Sequence, residues 1–363
     1  MRINSIILPK EGIVDVTKLS RIFDNTVATY KFYWFVSIIN HLIANQERRV
    51  LLFDEIIAGM IAEAWYPIHY FRLSFGKQDS LEENILAIQR LLNIPIDARK
   101  ETVRNTILGN LNNSAVRKCL HVFTLNVPYR FLSPWIPRAT DAQVEKYSRV
   151  FFNNCPYAIA GKSILIDDLW ADYLVRNAEI LKIFTFWNLS FFLQKRNPNV
   201  PDIPSKLVRP IQRAPLTRQH RFWDRYIESV GHIKCIYTGV DLNKGTYDLD
   251  HFIPWSFVVH DLMWNLVPSD SSVNSSKSNN LPELEKYLEP MASIHHAALA
   301  LNYSVSPSDK LLEDYLVFRC SIRELIDASK EAFYSLFKKE FTPMVQTAVN
   351  MGFPLWVNEI RYE

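Results

Sequence analysis

The segment 248–282 places a carboxylate, an imidazole, amides and an ammonium group at short spacings. Asp250 and His251 are adjacent, and Asn274 and Lys277 lie about one helical turn apart. Carboxylate and amide oxygens are hard ligands that suit Mg²⁺ or Mn²⁺, and histidine can accept a proton from water near neutral pH. A lysine within reach of a phosphate can offset its negative charge. Together these groups supply what the hydrolysis of a phosphodiester requires.

Two strands and a helix are predicted to bring these groups together. Asp248–Ile253 has the pattern of a short strand that carries the carboxylate and the imidazole. A second strand-like run, Leu266–Pro268, follows Asn265, and a helix is predicted from about Val273. In the loop between the strands, His260 and Asp261 are interpreted as surface polar residues, although His260 could touch the substrate.

This segment resembles the HNH endonuclease domain, and it is especially similar to the HNH domain of RNA-guided CRISPR nucleases. The shared framework is C-x-Y-[ST]-G at 235–239, then D-x-D-H-x-x-P-x-S-F at 248–257. It continues with two asparagines, a lysine and a proline: Asn265, Asn274, Lys277 and Pro282. The third letter of the motif is Asn here, which suits Mg²⁺. Cys235 has no second cysteine near it, so the zinc-stapled variant of this fold is not expected.

The resemblance implies a role for each motif residue. His251 is expected to be the general base, and Asp250 and Asn274 are expected to bind Mg²⁺ (or Mn²⁺). Asn265 is expected to hold the loop that bears the catalytic histidine, and Lys277 is expected to be the transition-state cation. The resemblance further implies that DNA is cut to leave a 5′-phosphate and a 3′-hydroxyl.

The rest of the chain predicts an α+β protein that is mostly helical, with the ββα-metal (HNH) nuclease core in its C-terminal part. We predict a helical or mixed N-terminal domain at 1–195 that recognises a partner or DNA, a Pro-rich basic linker at 196–216 and a nuclease domain with C-terminal helices at 217–363. Within the first domain, His121–Val127 alternates like a strand, and the runs on either side of Gly161-Lys162 predict a β-hairpin.

A basic run crosses the predicted linker. It has eight Lys and Arg residues against Asp202 and Asp224, which gives a net charge of +6. We interpret it as a DNA-tracking arm because cationic contacts with phosphates dominate affinity for nucleic acids, although many such runs are only solvated linkers. Its cationic residues are Lys195, Arg196, Lys206, Arg209, Arg213, Arg218, Arg221 and Arg225.

Composition narrows the protein class without identifying a partner. The 48% hydrophobic content of 363 residues is enough for a sizeable core, and a net charge of +3 alone does not indicate nucleic acid. The four cysteines are far apart, which argues against a disulfide framework and favours a reducing cytoplasm. The most apolar run, Ile180–Leu193, is too short and too polar to span a membrane, so no membrane partner is expected.

Several functions remain open at this stage. The chain could be the nuclease effector of an anti-phage defence system, with a sensor, ATPase or other subunit as partner, or a self-sufficient restriction-type endonuclease. A DNA-binding module with an idle nuclease fold is the alternative from another class. RNA also remains a possible substrate, because metal-assisted attack at phosphorus does not require a 2′-hydroxyl.

Overall fold

The computed structural model describes residues 7–10, 14–209 and 214–357. The chain divides into two compact units. The first comprises Met1–Pro198 and Ile203–Arg209, and the second comprises Asn199–Asp202 and Pro210–Glu363. All three changes of unit fall within 196–216, the segment predicted as a linker.

The first unit is helical apart from one small sheet. Its α-helices are α1 (Val16–Leu19), α2 (Tyr30–Ala44), α3 (Phe53–His69), α4 (Ser80–Leu92), α5 (Lys100–Gly109), α6 (Ser114–Thr124), α7 (Val127–Phe131), α8 (Asp141–Ser148), α9 (Asp168–Arg176) and α10 (Ala178–Gln194). Its strands are β1 (Val50–Leu52), β2 (Tyr157–Ala160) and β3 (Ser163–Ile166), and short 3₁₀ helices cover Phe152–Asn154 and Pro204–Lys206.

Helices α2 and α3 form the centre of this unit. Both are apolar on nearly every face, as expected of helices that are enclosed by others. They approach closely at Gly59, where an added Cβ would lie 2.2 Å from Ser37 Oγ. The sheet has the antiparallel order β1-β3-β2, and Gly161 adopts a φ of 61° in the hairpin turn between β2 and β3. The predicted hairpin is therefore confirmed.

The predicted strand at His121–Val127 is wrong, because this segment lies in α6 and α7. In α6, the residues Val116, Cys119, Leu120 and Phe123 are buried at helical spacing. Asn113 begins the helix by accepting hydrogen bonds from the amides of the first turn. The alternation read from His121 onwards was the end of this helical pattern, which is hard to distinguish from a strand over so few residues.

The second unit combines six helices with four short strands among the residues described. Its helices are α11 (Thr217–Val230), α12 (Trp255–Val258), α13 (Ser271–Lys277), α14 (Leu284–Val305), α15 (Ile322–Asp327) and α16 (Lys330–Asn350). Its strands are β4 (Ile233–Lys234), β5 (Asp241–Leu242), β6 (Asp248–His251) and β7 (Leu266–Ser269), and 3₁₀ helices cover Met263–Asn265 and Lys310–Phe318.

Helices α11, α14 and α16 enclose one aromatic-rich core together with the strands. Phe222 and Trp223 of α11, and Phe337 and Phe341 of α16, belong to this core. Strands β6 and β7 pair antiparallel, and α13 packs against β6, as predicted. Among the C-terminal elements, the stretch before α15 is a 3₁₀ helix, Lys310–Phe318. The overall class, mostly helical α+β with the HNH segment in the C-terminal part, is confirmed.

Among the described residues, no helix combines the length and the apolar character that a bilayer crossing requires.

Candidate active site

The register of β6 against β7 places Asp250 and His251 at the end of a buried hairpin. Asp250 pairs with Val267, and His251 pairs with Leu266. Both residues are largely shielded, with exposed fractions of 3% for Asp250 and 8% for His251. A buried carboxylate and imidazole require polar partners, because an unpaired polar group away from water costs free energy.

The Asp250 carboxylate has a partner on each oxygen. The Tyr237 hydroxyl donates to Oδ2 at 2.7 Å, and the Lys277 ammonium donates to Oδ1 at 3.0 Å. Burial, reinforced by the negative charge of Asp250, raises the pKa of the Tyr237 phenol well above its ordinary value. The phenol therefore remains a donor at neutral pH.

The Cys235–Gly239 motif positions that tyrosine. The amide of Gly239 donates to the carbonyl of Cys235 at 2.8 Å, and Gly239 adopts a φ of 78° that favours glycine. The chain thus reverses within five residues and turns Tyr237 towards Asp250. This gives a physical reason for the C-x-Y-[ST]-G spacing.

Lys277 is completely buried and points at the end of β6. Its ammonium donates to Asp250 Oδ1 and, at 2.7 Å, to the main-chain carbonyl of His251. Burial lowers the pKa of Lys277, and the neighbouring Asp250 opposes that change. The expectation that Lys277 reaches a phosphate is corrected in this conformation, because the ammonium is directed to the strand and is shielded from solvent.

Asn265 holds the main chain two residues beyond His251. Its Oδ1 accepts from the amide of Ile253 at 2.9 Å, and its Nδ2 donates to the carbonyl of Ile253 at 2.8 Å. The carbonyl of Asn265 also accepts from the amide of Phe252 at 2.9 Å. Asn265 therefore bonds to the main chain that directly follows the predicted base, and its role in holding that loop stays a prediction.

Asn274 lies on α13, which Asp270 caps by accepting from the amide of Ser272. The Asn274 side chain is partly exposed, and its Nδ2 lies 3.4 Å from Asp248 Oδ2. Since the amide nitrogen faces Asp248, the amide oxygen is left to act as a ligand. Asp248, which was not predicted as a site residue, thus orients the Asn274 amide.

The donor set fits a hard divalent ion. Asp250 supplies a carboxylate and Asn274 an amide oxygen, and Mg²⁺ typically uses one or two such protein ligands with water and substrate phosphate. No group of three or more His, Cys, Asp or Glu side chains in the described part of the chain could hold a metal ion. A site of the softer, closed zinc type is therefore not found among those residues.

Asp261 is a further side chain at the site that the sequence did not predict. Asp261 Oδ1 lies 2.8 Å from His251 Nε2, although Asp261 was interpreted as an ordinary surface residue. The signal available in the sequence was only the presence of a carboxylate in the loop between the strands. The path of that loop, which brings Asp261 back to His251, is not encoded in any local pattern.

The residues of the basic run have different surroundings. In the first unit, Lys206 is completely buried with its ammonium 6.0 Å from the centre of the Phe71 ring, so its predicted contact with DNA is not possible in this conformation. Arg209 donates to the carbonyl of Asp97 and lies over the Tyr66 ring.

Two further arginines of the run are also engaged, while others are exposed. Arg196 stacks on Phe192, and Arg225 donates to Asn302 Oδ1 at 2.6 Å. Arg218 lies 3.8 Å from Asp309 and keeps 58% of its side chain exposed. Lys195 and Arg221 are exposed, and Arg213 lies outside the described residues.

Comparisons with known proteins agree with this geometry. Residues 235–283 match the HNH endonuclease family. A 71-residue stretch is 37% identical to the CRISPR-associated endonuclease Cas9 of Listeria innocua serovar 6a. The aligned stretch covers 19% of this chain and 5% of that protein. The match therefore spans about one-twentieth of the relative's length. No solved structure matches the chain. The segment that carries Asp250, His251, Asn265, Asn274 and Lys277 is an HNH endonuclease domain.

Proposed function

We propose that this protein is an endonuclease that hydrolyses phosphodiester bonds of DNA with the help of one divalent ion, Mg²⁺ or Mn²⁺. The observation that carries the proposal is the placement of His251 next to Asp250 at the end of β6, with the helix of Asn274 packed against that strand. A general base and hard oxygen ligands are the minimum set for this reaction.

Each residue then has a task derived from its contacts. His251 accepts the proton of the attacking water. Asp250 and Asn274 hold the ion, which when bound offsets charge on the phosphate and the leaving oxygen. Tyr237 and Lys277 fix the Asp250 carboxylate, and Asn265 fixes the main chain after the histidine. Lys277 thereby acts as a positioning residue.

Plasmid nicking tests this function. We expect the wild type to convert supercoiled plasmid to the nicked form in Mg²⁺, and a chelator to stop the reaction. The His251→Ala variant should lose at least roughly 100-fold in rate. His232→Ala is a matched control, since His232 is an exposed histidine of the same unit. Equal nicking by wild type and His251→Ala would reject the proposal in favour of a DNA-binding module whose nuclease fold is idle.

We further propose that the chain is a cytoplasmic nuclease effector of an anti-phage defence system, activated by a sensor, ATPase or similar subunit. Support comes from the similarity of its HNH segment to that of a CRISPR-associated endonuclease. The alternative is a self-sufficient restriction-type enzyme. Discrete plasmid fragments from the purified protein would favour the alternative, whereas slow nicking at no fixed site, accelerated when a partner is added, would favour the effector. Parallel assays with RNA decide the substrate.

A further inference from the structure

The imidazole of His251 is held by a carboxylate from the loop between β6 and β7. Asp261 Oδ1 lies 2.8 Å from His251 Nε2, within the range of a strong hydrogen bond. The two side chains are 23% and 9% exposed, respectively. A charge-assisted hydrogen bond that is partly shielded from water is stronger than one at an open surface.

This contact determines which ring nitrogen can act as a base. An ionised carboxylate only accepts hydrogen bonds, so the proton of a neutral His251 resides on Nε2. Nδ1 then carries the lone pair, and it makes no hydrogen bond within residues 7–10, 14–209 and 214–357.

The loop that carries Asp261 is anchored near this residue. The Asp261 carbonyl accepts from Gln219 Nε2 at 3.2 Å, and the amide of Met263 donates to Asp314 Oδ2 at 2.9 Å. Asn265, four residues further on, is clamped to Ile253. With anchors at and after Asp261, the carboxylate is held in place for His251.

We propose that Asp261 is a positioning residue that orients the His251 imidazole and fixes its Nε2–H tautomer, so that Nδ1 is the nitrogen available to the attacking water. The proposal rests on the function proposed above for His251. It assigns to Asp261 neither contact with the substrate nor a place among the metal ligands.

The first test is kinetic. Asp261→Asn and Asp261→Ala should lower kcat for plasmid nicking by roughly 100-fold, while KM for DNA and the Mg²⁺ concentration for half-maximal rate stay within about twofold of wild type. Asp241→Asn is the matched control, because Asp241 is an exposed carboxylate of the same unit that pairs with Lys234. An unchanged kcat in both Asp261 variants would overturn the proposal. A strong rise in the required Mg²⁺ would also overturn it, by making Asp261 a ligand.

The second test does not depend on activity. In protein labelled with ¹⁵N-histidine, the His251 ring should show the Nε2–H tautomer, with its signals identified by their loss in His251→Ala. Asp261→Ala should abolish this preference and Asp241→Asn should leave it intact. If the tautomer depends on Asp261 but the wild type never cuts, the proposed function fails and the positioning holds. If the wild type cuts and neither kcat nor tautomer responds to Asp261, only the present inference fails.

Discussion

Asn197 in the first unit and Asn265 in the second are both buried, and each exchanges two hydrogen bonds with the main chain of one other residue. Asn197 bonds to Ser74 at 2.8 and 2.9 Å, and Asn265 bonds to Ile253 at the same two distances. The bonding to the partner main chain is therefore the same, although Asn197 Nδ2 also donates to the carbonyl of Leu193 at 2.9 Å. The difference is that Ile253 lies two residues after His251, whereas Ser74 lies in a segment to which no chemistry has been assigned.

The two units also differ in how deeply they bury an ion pair. The Lys277–Asp250 pair has exposed side-chain fractions of 0% and 3%, whereas Lys100–Glu63 in the first unit has 32% and 9%. Glu63 is supported by the Asn40 amide at 3.0 Å, much as Asp250 is supported by Tyr237. Buried polar clusters are thus common to both units. A cluster indicates catalysis only where it fixes groups that can react.

The largest effect is expected from breaking the deeper ion pair. Lys277→Met leaves the Asp250 carboxylate buried without its cation, and we expect a loss of about 3–5 kcal/mol in the free energy of unfolding. Lys100→Met should cost only about 1 kcal/mol, because water still reaches that ammonium. Urea unfolding followed by circular dichroism measures both. Equal losses would show that the difference in burial has no energetic consequence.

The next prediction distinguishes Asn265 from Asn197 by the effect of each on DNA cleavage. Asn265→Ala should lose about 2–3 kcal/mol of stability, because it leaves the main-chain amide and carbonyl of the buried Ile253 without a side-chain partner. Asn197→Ala should lose only about 1 kcal/mol, because Ser74 is exposed and water can replace the lost bonds. At a temperature where both variants remain folded, only Asn265→Ala should slow plasmid nicking, by about 10-fold or more. Equal slowing of nicking by Asn197→Ala, or cleavage at the wild-type rate by Asn265→Ala, would contradict a catalytic role that is specific to Asn265.

The sequence predicted some features of this site and not others. The spacing of Asp250, His251, Asn265 and Asn274 predicted the β-β-α arrangement, because such a pattern reports on strands, turn and helix together. The direction of the Lys277 ammonium could not be predicted, since a lysine on that helix can face either solvent or the strand. The role of Asp261 was hidden for a similar reason, because it depends on the path of a loop.

The first unit was predicted less completely. Its long helices and the β2–β3 hairpin carry strong local patterns, and the structure contains them. The segment after His121 was misread because a helix end and a short strand share the same brief alternation. The burial of Lys206 was also missed, because a basic residue in a Pro-rich run is ordinarily solvated.

A smaller effect concerns buried histidines, which both units contain. Burial lowers the pKa of His295 to about 3 and that of His69 to about 4. Below about pH 6.5 a histidine of the unfolded chain binds a proton, whereas His295 and His69 of the folded chain stay neutral until the pH approaches their lowered pKa values. The free energy of unfolding therefore falls as the pH falls through this range. By pH 5 His295 should account for a loss of roughly 2 kcal/mol.

Replacing these histidines tests whether they cause the loss of stability at low pH. The drop in unfolding free energy between pH 7 and pH 5 should be smaller in His295→Gln than in the wild type, and His69→Gln should behave in the same direction. Urea unfolding at the two pH values gives the comparison. An unchanged drop in His295→Gln would mean that other groups determine the acid sensitivity.

The smallest effect distinguishes exposed from buried cations of the basic run. If Arg221 contacts phosphate, Arg221→Ala should weaken DNA binding a few-fold and reduce the slope of log affinity against log salt by about 1. Lys206→Met should leave that slope unchanged, because Lys206 is buried. Fluorescence anisotropy with labelled duplex over a range of salt concentrations measures both slopes. If Lys206→Met reduced the slope and Arg221→Ala left it unchanged, the phosphate contact would belong to Lys206 and not to Arg221.

The dependence of nicking rate on Mg²⁺ concentration tests most directly whether Asp250 and Asn274 hold the ion while His251 serves as the base. Asn274→Ala should raise the Mg²⁺ concentration for half-maximal rate by about 10-fold or more, and Asp250→Asn should remove saturable Mg²⁺ dependence. His251→Ala should instead lower the maximal rate without moving that concentration. Wild-type Mg²⁺ dependence in both Asp250→Asn and Asn274→Ala would contradict the account.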